Sequence, residues 1–478
     1  MPARRHATTR REPGDPLARN RRARADGAPV TRGRRAPYRR VSPLTAERPH
    51  SARSGRLAGV PESLCILLML GGGFAGPARA GVNASTENAI SQIMIQSAYT
   101  RSTEAAEKSG RPVHRGSQSA ILPQVAENPS EGILVGFEYA NRDFTPAHLA
   151  GSAGLVYTTE GQRAFDGSML VPELFTLANR PVLDLMQVRY FMDPTQEYFG
   201  LGNNSAGPNP LSTHSIRRET VLETLGWRLT PRVTLALTAG LNHVSIGKGV
   251  RGDASTPYTT SLFPHLVGIH GGMTNPVSLS VIYDDRKNLT EPSRGWNAYA
   301  KIQHVGPELG SDYHYTRYAF SASYLFPIVN ADHVMGVRLR GQYLNGSVHE
   351  LPFYELASLG GDQNMEGYHK DRFLGQSDIL FTTEYRQKLS RFNFRDLWNV
   401  RLDGVLFGDA GRVFVNAKSR QQQFRVNSDL IPRVIHNFRY DYGAGLRIAL
   451  GQVLVARLDL GFSQEYKGLT YLSFSKVF

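Results

Sequence analysis

From Glu131 onward the chain alternates apolar and polar residues with a period of two, in segments of roughly ten residues separated by Gly, Pro, Asn and Asp. The clearest segments lie toward the C-terminus. Leu454, Ala456, Leu458, Leu460 and Phe462 share one face, and Val455, Arg457, Asp459, Gly461 and Ser463 share the other. Trp398, Val400, Leu402 and Leu406 oppose Asn399, Arg401, Asp403 and Asp409, while Tyr440, Tyr442, Leu446 and Ile448 oppose Arg439, Asp441 and Arg447. Met335, Val337, Leu339 and Tyr343 oppose Arg338, Arg340 and Gln342. Ile379, Phe381, Thr383 and Tyr385 oppose Thr382, Glu384, Arg386 and Lys388.

A strand with one apolar and one charged face requires two different solvents, and a membrane barrel supplies both: lipid outside, water within. The pattern therefore predicts an all-β fold, a transmembrane antiparallel β-barrel spanning residues 131–478. Segments beginning near residues 132, 150, 168, 182, 214, 232, 276, 296, 313, 333, 376, 397, 438, 453 and 469 number fifteen. Bacterial single-chain barrels have even strand numbers. Sixteen strands are expected, with one more either before Glu131 or in the weakly patterned stretch Thr158–Ala178. Long polar gaps at Gly247–Thr274, Glu350–Gly375 and Asn416–His436 are expected outside, and tight turns such as Thr230-Pro231 at the periplasmic end.

Charge changes the picture only at the front. The chain carries +14, but residues 1–56 hold 16 Arg and 4 acidic residues, +12 of the total, and residues 81–478 come to +2. Arg19–Arg24, RNRRAR, invites a nucleic-acid arm. The next segment argues against it: cationic Arg53 and Arg56, the apolar run Leu64–Ala75 and the small-residue site Ala78-Arg79-Ala80 fit a secretory signal peptide at residues 57–80. Residues 1–56 then read as a basic disordered extension or a mis-called start, and no nucleic acid is expected as a partner. The apolar run is too short for a membrane helix, which needs about 20 residues. The one cysteine, Cys65, would leave with the signal. Residues 81–130 read as a periplasmic lead-in, with helical spacing at Ile90, Ile93 and Met94. Ser109–Ser130 reads as loop, with Pro112, Pro123 and Pro129 as breakers.

Catalytic motifs are missing. There is no G-x-S-x-G, no phosphate-binding G-x-x-x-x-G-K-[ST] and no C-x-x-C, and His349-Glu350 lacks the second histidine of H-E-x-x-H. The fourteen histidines are scattered. No enzyme activity, cofactor or metal is expected from spacing.

Three motifs in order carry a resemblance. Tyr283-Asp284-Asp285-Arg286-Lys287-Asn288 precedes Pro292-Ser293-Arg294-Gly295. Leu359-Gly360-Gly361 leads to Gly367-Tyr368 and Arg372-Phe373, and Phe407-Gly408-Asp409-Ala410-Gly411 follows before an amphipathic strand ending in Phe478. Together they resemble the BamA/TamA surface-antigen family of outer-membrane proteins, whose members insert other barrels or move polypeptides. The resemblance implies a bacterial outer-membrane location and outer-membrane lipid as partner. It also implies unfolded outer-membrane proteins or exported polypeptides as clients, and a long extracellular loop folded into the lumen. Family members carry an Arg before the Gly-aromatic pair of that loop, directed toward the inward aspartate. Here the residue is Glu366. Glu366 is therefore expected to meet a lumen cation such as Arg338, Arg386 or Arg401, with Arg372 pairing to Asp409 and Glu384 close by. Family members also place polypeptide-transport-associated modules before the barrel, and residues 81–130 leave no room for one. Protein insertion or polypeptide export is the expected function; the alternative is a passive channel or structural barrel.

Overall fold

The computed structural model describes Ile90 and residues 119–141, 149–205, 207–250, 256–286, 292–346, 350–394, 398–415, 437–450 and 454–474. The basic front segment, the signal peptide, the lead-in apart from Ile90 and residues 119–130, the gap at 416–436 and Phe478 lie outside the described residues.

Sixteen antiparallel strands form the wall: β1 (Ser119–Asn128), β2 (Gly132–Asn141), β3 (Ala150–Thr158), β4 (Arg163–Leu177), β5 (Arg180–Tyr198), β6 (Ser212–Arg228), β7 (Val233–Gly247) and β8 (Pro276–Asp284), then β9 (Gly295–Val305), β10 (Tyr315–Pro327), β11 (His333–Asn345), β12 (Ser377–Phe394), β13 (Trp398–Phe414), β14 (Arg439–Leu450), β15 (Leu454–Ser463) and β16 (Leu469–Phe474). Each pairs with the next, and β1 meets β16 to close the sheet. Closing the sheet brings its two edge strands together in the hydrocarbon, where an unpaired backbone group has no water to bond.

The strand left unplaced by the pattern is β1. Pro123 reads as a breaker in sequence, yet it sits inside β1 opposite Phe137 of β2. Proline donates no hydrogen bond, so sheets accept it on edge strands, and β1 is one side of the closing pair. The barrel thus begins at Ser119, ahead of the Glu131 boundary. The weak pattern of Thr158–Ala178 has a separate cause. β4 crosses that stretch, and its register against β5 shifts between Val171 and Phe175, which breaks the alternation.

The two faces of the wall are inverted relative to a soluble protein. On β7 Leu241 is 59% exposed while its neighbour Asn242 is 0% exposed; on β14 Tyr442 is 66% exposed and Asp441 3%. Ile133, Val135, Phe137, Leu155, Leu279, Val281, Phe320, Phe381, Leu406, Leu458 and Leu460 continue the outward apolar surface. Inward polar groups bond one another, as Thr220 does with Asn242 at 2.7 Å and Thr224 with Thr238 at 2.9 Å. Trp296 of β9 stacks on Tyr324 of β10 with ring centroids 4.4 Å apart, near the strand ends where aromatic girdles of membrane barrels sit. Among the described residues no helix is long and apolar enough to cross a membrane; the strands cross it. From the lead-in, Ile90 is helical and packs against inward-facing Leu170, Leu183, Leu185 and Ala236.

Candidate functional site: the loop between β11 and β12

The chain between Asn345 and Ser377 builds its own small structure. Glu355 is buried between two arginines of the wall, Arg218 of β6 at 2.6 Å and Arg317 of β10 at 3.2 Å. Two short strands, Ala357–Leu359 and Phe373–Gly375, then pair as a stem. Above the stem Gly360 and Gly361 take φ of 116° and 97°, a region closed to residues with a Cβ. This lets the Gly360 N–H donate to Asn364 Oδ1 at 2.7 Å. Leu359, Met365, Tyr368 and Phe373 gather into a buried cluster with Leu380 of β12 and Val413 of β13.

The tip of the loop presses on the inner face of the last strands. The Gly367 N–H donates to an Asp441 carboxylate oxygen at 2.6 Å, and Glu366 pairs with Arg457 of β15 at 3.1 Å. This approach needs glycine on both sides. A Cβ on Gly461 would lie 2.3 Å from the Glu366 carbonyl oxygen, and one on Gly367 would lie 2.5 Å from the Asp441 Cβ. The Tyr471 hydroxyl of β16 donates to the Tyr368 carbonyl at 2.8 Å, and the Tyr368 hydroxyl donates to the Tyr440 carbonyl at 3.2 Å.

The following residues reach the other side of the closing pair. His369 Nδ1 lies 3.1 Å from Ser130 Oγ, and Lys370 Nζ donates to Glu131, both in the turn joining β1 to β2. Burial pushes the Glu131 carboxyl up to about 7, with the Lys370 ammonium beside it acting against the rise. Arg372 is wholly buried. Its Nε and Nη2 donate to the two oxygens of Glu465 at 2.7 and 3.0 Å, its Nη1 donates to Ser205 Oγ at 2.7 Å, and its guanidinium lies over Phe373 and Phe199 at 4.7 and 5.1 Å. Bidentate pairing with stacking is a task for Arg, not Lys.

Below the tip, charges alternate from strand to strand. Arg457 bonds Glu366 and Asp459, Asp459 pairs with Arg447, Arg447 with Glu384, and Glu384 with Arg386 at 3.1 Å. Such a ladder satisfies each buried charge with an opposite neighbour, without which burial would be costly.

The site residues singled out in sequence are placed as follows. Gly360, Gly361, Glu366, Gly367, Tyr368 and Arg372 lie together in this loop, and Glu384 and Arg386 lie in the ladder. Glu366 meets Arg457, a lumen cation beside the three named from sequence, because the register of β15 brings it beneath the tip. One pairing differs from expectation. Arg372 takes Glu465, in the turn after β15, and not Asp409, which accepts from Thr382. Arg338 donates to Thr382 Oγ1 at 3.3 Å, and Arg401 pairs with Asp403 at 2.6 Å. Sequence reasoning passed over Glu465 and Glu131, and set Asp441 on the polar face of its strand without joining it to the loop. The first two sit in turns, where period-two patterning carries no signal. At the opposite end, the Tyr283–Arg286 motif closes a hairpin: Asp284 binds Arg286 at 3.0 Å, and Asp285 accepts the Tyr283 hydroxyl at 3.1 Å and the Trp296 N–H.

The Tyr283–Arg286 hairpin, the long loop with its glycine stem and the inward aspartate strand were the features of the resemblance, and comparison with known families decides it. The Omp85 superfamily domain matches residues 190–475, more than half of the chain. This chain belongs to the Omp85 superfamily. Among solved structures, BamA from Haemophilus ducreyi lacking POTRA domains 1–3 is similar with a TM-score of 0.54 and 17% identity, over 75% of this chain and 70% of that one. CdiB from Escherichia coli follows with a TM-score of 0.48 and 12% identity, over 76% of this chain and 64% of that one. Comparison with curated proteins returns no match. The Omp85 assignment agrees with the lipid-facing surface of the strands: this is an outer-membrane barrel.

Proposed function

We propose that this Omp85 barrel takes part in inserting outer-membrane proteins or exporting polypeptide, by parting β1 from β16. One observation carries the reading. Among the described residues, β1 and β16 are in register at a single pair, Glu127 opposite Leu472, whereas β15 and β16 remain in register from Ala456 opposite Phe474 to Gly461 opposite Leu469. Parting the seam would expose two strand edges within the bilayer. An unfolded client can satisfy such an edge by adding its own strand, and the outward apolar surface faces lipid throughout.

In this reading the long loop lies in the lumen and braces the seam. Its tip holds β14, β15 and β16 through Gly367, Glu366 and Tyr368, and its next residues hold the β1–β2 turn through His369 and Lys370. Release of either set frees one side. The proposed activity is mechanical and requires no catalytic group.

The test is a disulfide across the seam, Glu127→Cys with Leu472→Cys, in protein reconstituted into liposomes with an unfolded client barrel. The oxidised form should lose its acceleration of client folding and regain it on reduction. A control bridge in the wall, Thr316→Cys with Asn345→Cys on β10 and β11, should leave it unchanged. Steady small-ion conductance with no effect on client folding would establish a passive channel instead.

A further inference from the structure

Glu366, Asp409 and Asp441 belong to three separated parts of the chain, yet one carboxylate oxygen of each lies within 4.8 Å of the others. All three residues are more than nine-tenths buried, at 6%, 4% and 3% exposure. Asp409 and Asp441 are direct cross-strand partners in the β13–β14 register, a position where like charges repel. The loop then delivers a third carboxylate against them.

The protein's own groups occupy one oxygen of each aspartate. Asp409 accepts from the Thr382 hydroxyl through Oδ1, and Asp441 accepts from the Gly367 N–H through Oδ2. The second oxygen of each, Asp409 Oδ2 and Asp441 Oδ1, is buried without a hydrogen-bond partner. Of the cations nearby, Arg457 divides itself between Glu366 and Asp459, and Arg338 donates to Thr382 Oγ1 while lying near enough to attract the Asp409 carboxylate. Buried acceptors with no donor are costly in a native structure. Here two of them belong to cross-strand aspartates that lie with a third carboxylate in one buried cluster, and three carboxylates are the donor type of a hard divalent cation.

We propose that Glu366, Asp409 and Asp441 bind a calcium ion, and that the ion fastens the tip of the loop to β13 and β14. Calcium accepts irregular oxygen coordination and mixes carboxylates with water, whereas magnesium requires a near-ideal octahedron and sheds water reluctantly. Asp409 and Asp441 lie toward the long-loop end of their strands, so the ion enters from the external medium. The site does not depend on whether the seam opens.

The experiment uses the full chain purified in detergent, followed by isothermal titration with calcium chloride. Thermal unfolding is then compared in chelator, in calcium, and in potassium chloride of equal ionic strength. The wild type should bind one calcium ion and unfold several degrees higher in calcium than in either reference. Asp409→Asn should weaken calcium binding at least about tenfold. Glu366→Arg, which puts a fixed cation where the ion would sit, should abolish the calcium-dependent shift while the barrel still folds. Absence of both binding heat and shift in the wild type would overturn the proposal, with a proton shared among the carboxyls in place of a metal. A shift that persists in Asp409→Asn and Glu366→Arg would place the calcium elsewhere and overturn it equally.

Discussion

The pair β12–β13 and the pair β16–β1 are both strand contacts of one closed sheet, yet different forces hold them. β12 and β13 run in register from Ser377 opposite Phe414 to Phe394 opposite Trp398, with one shift between Lys388 and Ser390. Among the described residues β16 and β1 are in register at Glu127 and Leu472, and β1 carries Pro123. A backbone hydrogen bond contributes about 1 kcal/mol net in water, and leaving its groups unmade costs more in lipid. The wall is thus held by its ladder. At the seam, groups of the long loop add to the ladder: the Tyr368 carbonyl accepts from Tyr471 on one side, and the His369 and Lys370 side chains reach Ser130 and Glu131 on the other. In the proposed reading, closure at the seam depends on the loop, and the wall does not.

The strongest way to break this contrast is Arg372→Ala. It leaves Glu465, 12% exposed, without its bidentate partner and with only Arg439 at 3.7 Å as a remaining cation, and it empties the buried space of the guanidinium, at a cost of about 2–3 kcal/mol. The expected result is a lower temperature for the folded-to-unfolded shift of the barrel in semi-native electrophoresis, with faster amide exchange concentrated in β1 and β16. Arg372→Lys should recover little, since the fork geometry is lost. Tyr471→Phe is smaller. It removes the donor to the buried Tyr368 carbonyl and should cost about 1–3 kcal/mol, again loosening β16 ahead of β12 and β13; equal loosening of both would show that the loop does not brace the seam specifically.

The smallest effect is on pH. The Glu131 carboxyl rises from 4.5 to about 7 through burial, with Lys370 opposing. A raised carboxyl contributes stability that is complete below its unfolded value and is lost as pH climbs through the folded value. Unfolding temperature should therefore decline between about pH 5 and pH 7 on account of this group. Glu131→Gln should flatten that slope in a series of melts across the window.

The fold was legible because an inside-out barrel leaves a two-residue period in every strand. The alternation of Leu458 and Leu460 with Arg457 and Asp459 tells lipid from lumen in the sequence alone. β1 escaped because Pro123 signals a break locally, whereas edge position, a property of the closed sheet, is what allows it. At the site, the Gly360-Gly361 and Gly367-Tyr368 signals located the loop. The partners of Glu366 and Arg372 were not legible. Arg457 and Glu465 reach them through the register of β15 and the turn after it, and sequence spacing carries no information on either. The same holds for Asp441, which joins Asp409 only through the β13–β14 pairing.

The central claim, a seam held by the loop rather than by its ladder, is tested most directly by amide hydrogen exchange on the reconstituted barrel. The amides of Ser119–Asn128 and Leu469–Phe474 should exchange well before those of Leu380–Arg386 and Val405–Ala410, and Arg372→Ala should widen the gap. Equal protection at seam and wall, unchanged by Arg372→Ala, would contradict it.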